Sequence, residues 1–109
     1  MKIYISGKIS GLEKAEFEAK FKKSQEQLEA NGWEVVNPCN VVPAVENPTW
    51  LDYMKADIAE MLKCDAIFMQ LDWTNSNGAI IEHDIAYKMQ MEIYHEFEKI
   101  PFPPVKMAA

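Results

Sequence analysis

Two carboxylates stand where the pattern around them calls for apolar side chains. Projected at about 100° per residue from Ala79, the last helix of the chain gathers Ala79, Ile85, Ala86 and Met89 into an arc of about 120°, with Glu82 in its middle. Burying an unpaired charge is expensive, so a carboxylate on that stripe needs a reason. Glu82 also reads as a first-turn residue, where the helix N-terminus favours an anion and would keep it ionised as a nucleophile. The plain alternative is a helix-start glutamate bonded to backbone N–H groups or paired with a lysine. Asp57 repeats the anomaly at the edge of an apolar stripe, beside Trp50 and between Met54 and Met61. A second acid near the same face would hold a base nitrogen or supply a proton. Its plain alternative is a partly exposed helical aspartate.

Two loops could bring a ligand to these acids. Gly7 to Gly11 (GKISG) follows a strand-like run and precedes a helix-rich one, and glycines there permit close backbone approach. It is neither a Walker A sequence nor GxGxxG, and an ordinary tight turn explains it equally well. Ser76-Asn77-Gly78 precedes the Glu82 helix, where a hydroxyl and free N–H groups could bind an anion or serve only as an N-cap. Tyr4, Trp50 and Trp73 could stack on a base or simply form core and pocket wall. His83 and His95 lack the carboxylate spacing of a metal site and read as surface or edge residues. The seven methionines fall mostly at core spacing.

The elements that must position these residues alternate strand with helix. Lys2 to Ser6 (KIYIS), Trp33 to Asn37 (WEVVN), Asp65 to Leu71 (DAIFMQL) and Met91 to His95 (MEIYH) read as four strands. Glu13 to Ala30 reads as a helix with Phe17, Phe21, Ser24 and Leu28 on one stripe, ended by Asn31-Gly32. A second helix begins at Thr49, with Asp52 as an imperfect capping box and Met54, Ile58, Met61 and Leu62 as its buried stripe. The third runs over about Ala79 to Gln90. Residues 38 to 49 form a long irregular loop, and long loops are often functional. This order predicts a small doubly wound, flavodoxin- or Rossmann-like parallel sheet of about four strands with helices on both faces. Ligands of such sheets sit beyond the carboxyl ends of the strands, at the topological switch point. The Gly7–Gly11 and Asp72–Gly78 loops fit that place.

At 109 residues the chain is one domain, 1–109, with a proline-rich irregular tail from about residue 97. Its composition is 49% apolar and 26% charged, that of an ordinary soluble globular protein. The net charge of −6 argues against a nucleic-acid polymer as partner, although a nest of backbone N–H groups can still hold one phosphate. No apolar run approaches the ~20 residues of a membrane span, and the first residues are too short and strand-like for a signal peptide. Cys39 and Cys64 stand apart from any metal-like spacing. They read as free thiols of a reducing, cytoplasmic compartment, with a single disulfide as the alternative. No metal or cofactor is expected.

Taken in order, KIYISGKISG, YMKADIAEMLKCDAI and SNGAIIEHDIA resemble the nucleoside 2-deoxyribosyltransferase superfamily from Lys2 to about Tyr94. The similarity is nearest to its short members of unassigned function and to the 2'-deoxynucleoside 5'-monophosphate N-hydrolases. The resemblance implies Glu82 as the nucleophile at the anomeric carbon of a nucleoside or nucleotide, Asp57 as the second acid, and Tyr4 and Gly7 as pocket residues. It places Gly78 four residues before the glutamate and Ser76 six before. Serine there is the hydrolase pattern and favours a phosphorylated substrate. The chain departs from that pattern at Ser10, where the hydrolases carry a basic residue; Lys8, two residues earlier, is the candidate substitute, with Gly11 closing the loop. The resemblance also implies a dimer or larger homo-oligomer. A non-catalytic nucleotide-binding module using the same pocket is the alternative reading.

Overall fold

The computed structural model describes residues 1–105. Its elements run β1 (Lys2–Ser6), α1 (Lys14–Ala30), β2 (Glu34–Val36), α2 (Trp50–Met61), β3 (Ala66–Met69), α3 (Asn77–Lys88) and β4 (Glu92–His95), with short 3₁₀ turns at Pro38–Asn40 and Trp73–Asn75. The four strands form one parallel sheet in the order β2-β1-β3-β4, so the expected doubly wound α/β fold is present. β1 matches the run that encodes it, and the other three strands are each shorter than theirs. β2 and β4 are the two edges.

Strand alternation sorts β1 between two cores. Ile3 and Ile5 pack with Phe21 and Leu28 of α1, with Trp33, and with Ala66 and Phe68 of β3. Tyr4 faces the other way, onto Met61 of α2, Ala79 and Ala86 of α3, and Ile67 and Met69 of β3. Helices therefore cover both faces, and the winding reverses between β1 and β3. No helix among the described residues is long and apolar enough to cross a membrane.

The caps explain where the helices stop and start. Gly32, at φ 98°, follows α1 in the left-handed region; its N–H bonds Glu29 C=O at 3.0 Å and that of Trp33 bonds Leu28 C=O at 3.2 Å, a Schellman closure. Thr49 and Asp52 form a complete capping box, better than its sequence suggests: Thr49 Oγ1 accepts from Asp52 N–H and Asp52 Oδ2 accepts from Thr49 N–H. Ser76 Oγ accepts from Ala79 N–H and starts α3 at Asn77, two residues earlier than expected. The tail is irregular but anchored. Trp33 Nε1 donates to Pro101 C=O at 2.9 Å, and Asn31 Nδ2 reaches Ile100 and Pro101. The last part of the expected tail, 106–109, lies outside the described residues.

Two stripe assignments are corrected. Leu62 is 47% exposed and Met89 63% exposed: each still makes the i−4 hydrogen bond of its helix, but as the C-cap it lies past the last residue that the helix buries, Met61 in α2 and Ala86 in α3. Phe21→Ala, at a fully buried position, should cost about 3–5 kcal/mol in urea unfolding. Leu62→Ala should cost less than about 1 kcal/mol. Similar losses for both would return Leu62 to the core.

Candidate active site

A cavity of about 470 Å³ opens beyond the carboxyl ends of β1 and β3, where the winding reverses. Its size and mixed lining suit a small organic ligand. Tyr4 forms the floor with Glu82, and Gly7, Ile9 and Ser10 form one wall from the loop after β1. From α1 come Lys14, Phe17 and Glu18; from the loop after β2, Pro38, Cys39, Val41 and Val42. The helix α2 adds Trp50, Tyr53, Met54 and Asp57, and the start of α3 adds Ser76, Asn77 and Gly78.

Glu82 is 5% exposed, and both of its oxygens accept from hydroxyls of β1. Tyr4 Oη donates to Oε2 at 2.7 Å and Ser6 Oγ to Oε1 at 2.7 Å. Tyr4 and Ser6 are two apart on one strand, so both hydroxyls leave the same face. The early start of α3 puts Glu82 in its second turn, which corrects the first-turn reading: the hydroxyls, rather than the helix N-terminus, hold this carboxylate. Burial pushes its carboxyl up to about 7, against the opposing pull of the two donated bonds. Burial and the neighbouring acids push the Tyr4 phenol well above its ordinary range, so it stays protonated as a donor.

Asp57 lies on the buried side of α2 between Met54 and Met61, deeper than its edge position in the sequence projection suggests. Its Oδ1 is buried without a hydrogen-bond partner. Burial, with the Glu82 charge second, pushes its carboxyl up to about 7. The two acids share a cavity in opposite settings: one is solvated by two hydroxyls, and the other has one oxygen left bare.

The structure brings Tyr4, Gly7, Ser10, Asp57, Ser76, Gly78 and Glu82 to this one cavity. Lys8 and Gly11 belong to the same loop but do not line it. Gly11, at φ 87°, closes a turn in which Leu12 N–H bonds Ile9 C=O at 3.1 Å, and any other residue would be strained there. The ammonium on the cavity wall is that of Lys14, whose Nζ stands 3.8 Å from Glu18 at the solvent edge. Ser6 was missed by the sequence reading, although a polar residue two after Tyr4 on a buried strand was the available signal. Gly7 is required by close approach, since a Cβ there would strike the Gln70 side chain, whereas one at Gly78 would sit 3.1 Å from Met54 Sδ and need only a small shift of that side chain. Trp73 turns away from the cavity and stacks on His83, with ring centroids 4.4 Å apart. Both cysteines are free, and burial pushes each thiol up to about 11. Among the described residues no group of three His, Cys, Asp or Glu side chains is placed to hold a metal ion.

One family model matches the chain, over residues 1–95, and is described as a domain of unknown function, DUF4406. The chain belongs to the DUF4406 family. The DUF4406 span contains all four strands and every residue that lines the cavity, and it ends on the last residue of β4. The Trp33-anchored tail lies beyond it. No curated protein matches the chain.

In the unfolded chain both acids titrate in the ordinary carboxylate range, so up to about pH 7 the folded state holds protons that the unfolded state has released. Stability from these groups is therefore fully present in acid and declines as the pH rises through 7. Asp57→Asn removes one of the penalised charges. Its thermal midpoint relative to the parent should rise between pH 4 and pH 8 by several degrees, on the order of 2–4 kcal/mol. An offset that is the same at both pH values would show that Asp57 ionises without cost.

Proposed function

We propose that this cavity binds a (deoxy)nucleoside or nucleoside 5'-monophosphate and cleaves or transfers at its N-glycosidic bond, through a glycosyl ester on Glu82. The observation that carries the reading is the opposite setting of the two acids. Hydroxyls donated to both oxygens of Glu82 favour its ionised form, whereas the bare Oδ1 of Asp57 favours a proton there. A pair divided in that way supplies one nucleophile and one general acid near neutral pH.

In the proposed reaction an oxygen of Glu82 attacks the anomeric carbon as the bond to the base nitrogen breaks. The bonding pair leaves with the base, and Asp57 supplies the proton that neutralises it. Water, or a second base in a transfer, then attacks the same carbon while Asp57 takes back a proton and Glu82 departs as carboxylate. The retaining outcome follows from two displacements on one carbon. The half-exposed Trp50 and Tyr53 at the cavity mouth offer flat apolar surface to a base. The resemblance of KIYISGKISG and SNGAIIEHDIA to the nucleoside 2-deoxyribosyltransferase superfamily supports the same assignment of Tyr4, Gly7, Asp57 and Glu82, and a homo-oligomer is part of this proposal on the same ground.

The test is chromatographic detection of free base after incubation with nucleosides, deoxynucleosides and their 5'-monophosphates, with and without an acceptor base. Base release should vanish in Glu82→Ala and fall by about 10²–10⁴-fold in Asp57→Asn. Release that survives Glu82→Ala would remove the glycosyl ester. No release from any member of the pool, with thermal stabilisation by one of them, would leave a binding module in its place.

A further inference from the structure

Lys8, the first residue after Gly7 in the cavity-wall loop, has both of its backbone polar groups, one in each of two successive peptide units, taken by charged side chains. Its N–H donates to Asp72 Oδ1 at 3.1 Å, and its C=O accepts from Lys20 Nζ at 2.7 Å. The same Nζ donates to Asp72 Oδ2 at 2.7 Å, closing a three-membered network. Lys20 comes from α1, Asp72 follows β3, and neither lines the cavity. Their side chains are 26% and 28% exposed, so water screens this pair far less than it screens Lys14–Glu18 or Lys88–Asp84. Gln70 braces the same region. Its Nε2 donates to Ser24 Oγ at 2.9 Å, and its side chain packs against Gly7.

Backbone polar groups of a surface loop usually find water. Here α1 and the segment after β3 supply charged partners instead, from outside the cavity and onto the backbone on both sides of one residue. We propose that Lys20 and Asp72 are positioning residues that clamp the Lys8 backbone on both sides of its Cα and so hold the Gly7–Gly11 loop as a rigid wall of the cavity. The catalytic consequence rests on the nucleoside reading above; the mechanical one does not. Ser6 is held separately, since it pairs with Met69 of β3 and its C=O accepts from the N–H of Gln70, the next residue, at 2.9 Å. Loosening the clamp therefore frees the wall that Gly7 and Ser10 present to a ligand and leaves the hydroxyl support of Glu82 in place.

Lys20→Met keeps the aliphatic stem and removes both donated bonds; Asp72→Ala removes both accepted ones. Each should raise KM for base release about tenfold while kcat stays within about threefold, since ground-state positioning is what is lost. The double variant should be no worse than either single one, because both act on the backbone of one residue through a network they share. Lys20→Arg, which keeps charge and donors, should restore KM. By NMR, amide exchange at Lys8 and at Leu12, whose own bond to Ile9 lies within the loop, should accelerate at least about tenfold. Exchange at Ile3 to Ile5 should not change. Unchanged exchange at Leu12, or an equal rise at Ile3 to Ile5, would overturn the clamp, as would a loss confined to kcat. If no substrate releases base even from the parent protein, the nucleoside reading fails alone, and the exchange measurements still decide the clamp.

Discussion

Two hydroxyls on one strand reach across to a carboxylate on a helix, and the placement of nearly every other element follows from keeping that contact. Tyr4 and Ser6 can both meet Glu82 only because β1 is extended, which sends alternate side chains to one face. β1 must also be central, flanked by β2 and β3, so that its end opens into a crevice. Ser76 must cap α3 two residues before Gly78, so that the helix comes in close over Met54 and sets Glu82 above the strand. A helix begun elsewhere would carry the carboxylate around the axis, by about 100° for each residue of shift.

The same contact gives the two acids different surroundings. A buried carboxylate with two donors and a buried carboxylate with a bare oxygen respond to burial in the same direction, yet only the first has partners suited to its charge. Such an arrangement is unfavourable for folding. Filling Asp57's place with an apolar side chain would satisfy α2 better, since Met54 and Met61 flank it on the buried side. Proteins commonly carry local strain of this kind where a site needs it.

Much of this was legible in the sequence, and the gaps have particular causes. Apolar runs and the Gly32, Thr49 and Gly7 boundaries located the strands and helices, and helical projection alone exposed Glu82 as misplaced. Projection could not tell how far along a helix the cover extends, so Met89 and Leu62 entered stripes whose C-terminal ends lie open. It also could not see that Ser76 starts α3 early, which moved Glu82 out of the first turn. Ser6 looked like a strand end before a glycine; its role appears only when the strand faces Glu82, a partner 76 positions away. Lys8 was the candidate cation in the sequence and Lys14 lines the cavity instead, because the direction in which a loop points its side chains depends on long-range partners such as Asp72.

Both edges of the sheet are short: β2 has three residues and β4 four. An edge strand offers its unpaired N–H and C=O groups to any passing chain, and the risk of amyloid-like stacking grows with its length and apolarity. Pro38 ends the β2 side by removing a donor, and Glu34 places a charge on its exposed first residue. On the other side Glu92 opens β4 and Glu96 follows it, bonded back to Leu71 N–H. A chain that is almost half apolar thereby keeps its most adhesive backbone down to a few residues at each flank, guarded by like negative charges that repel a second copy approaching edge to edge.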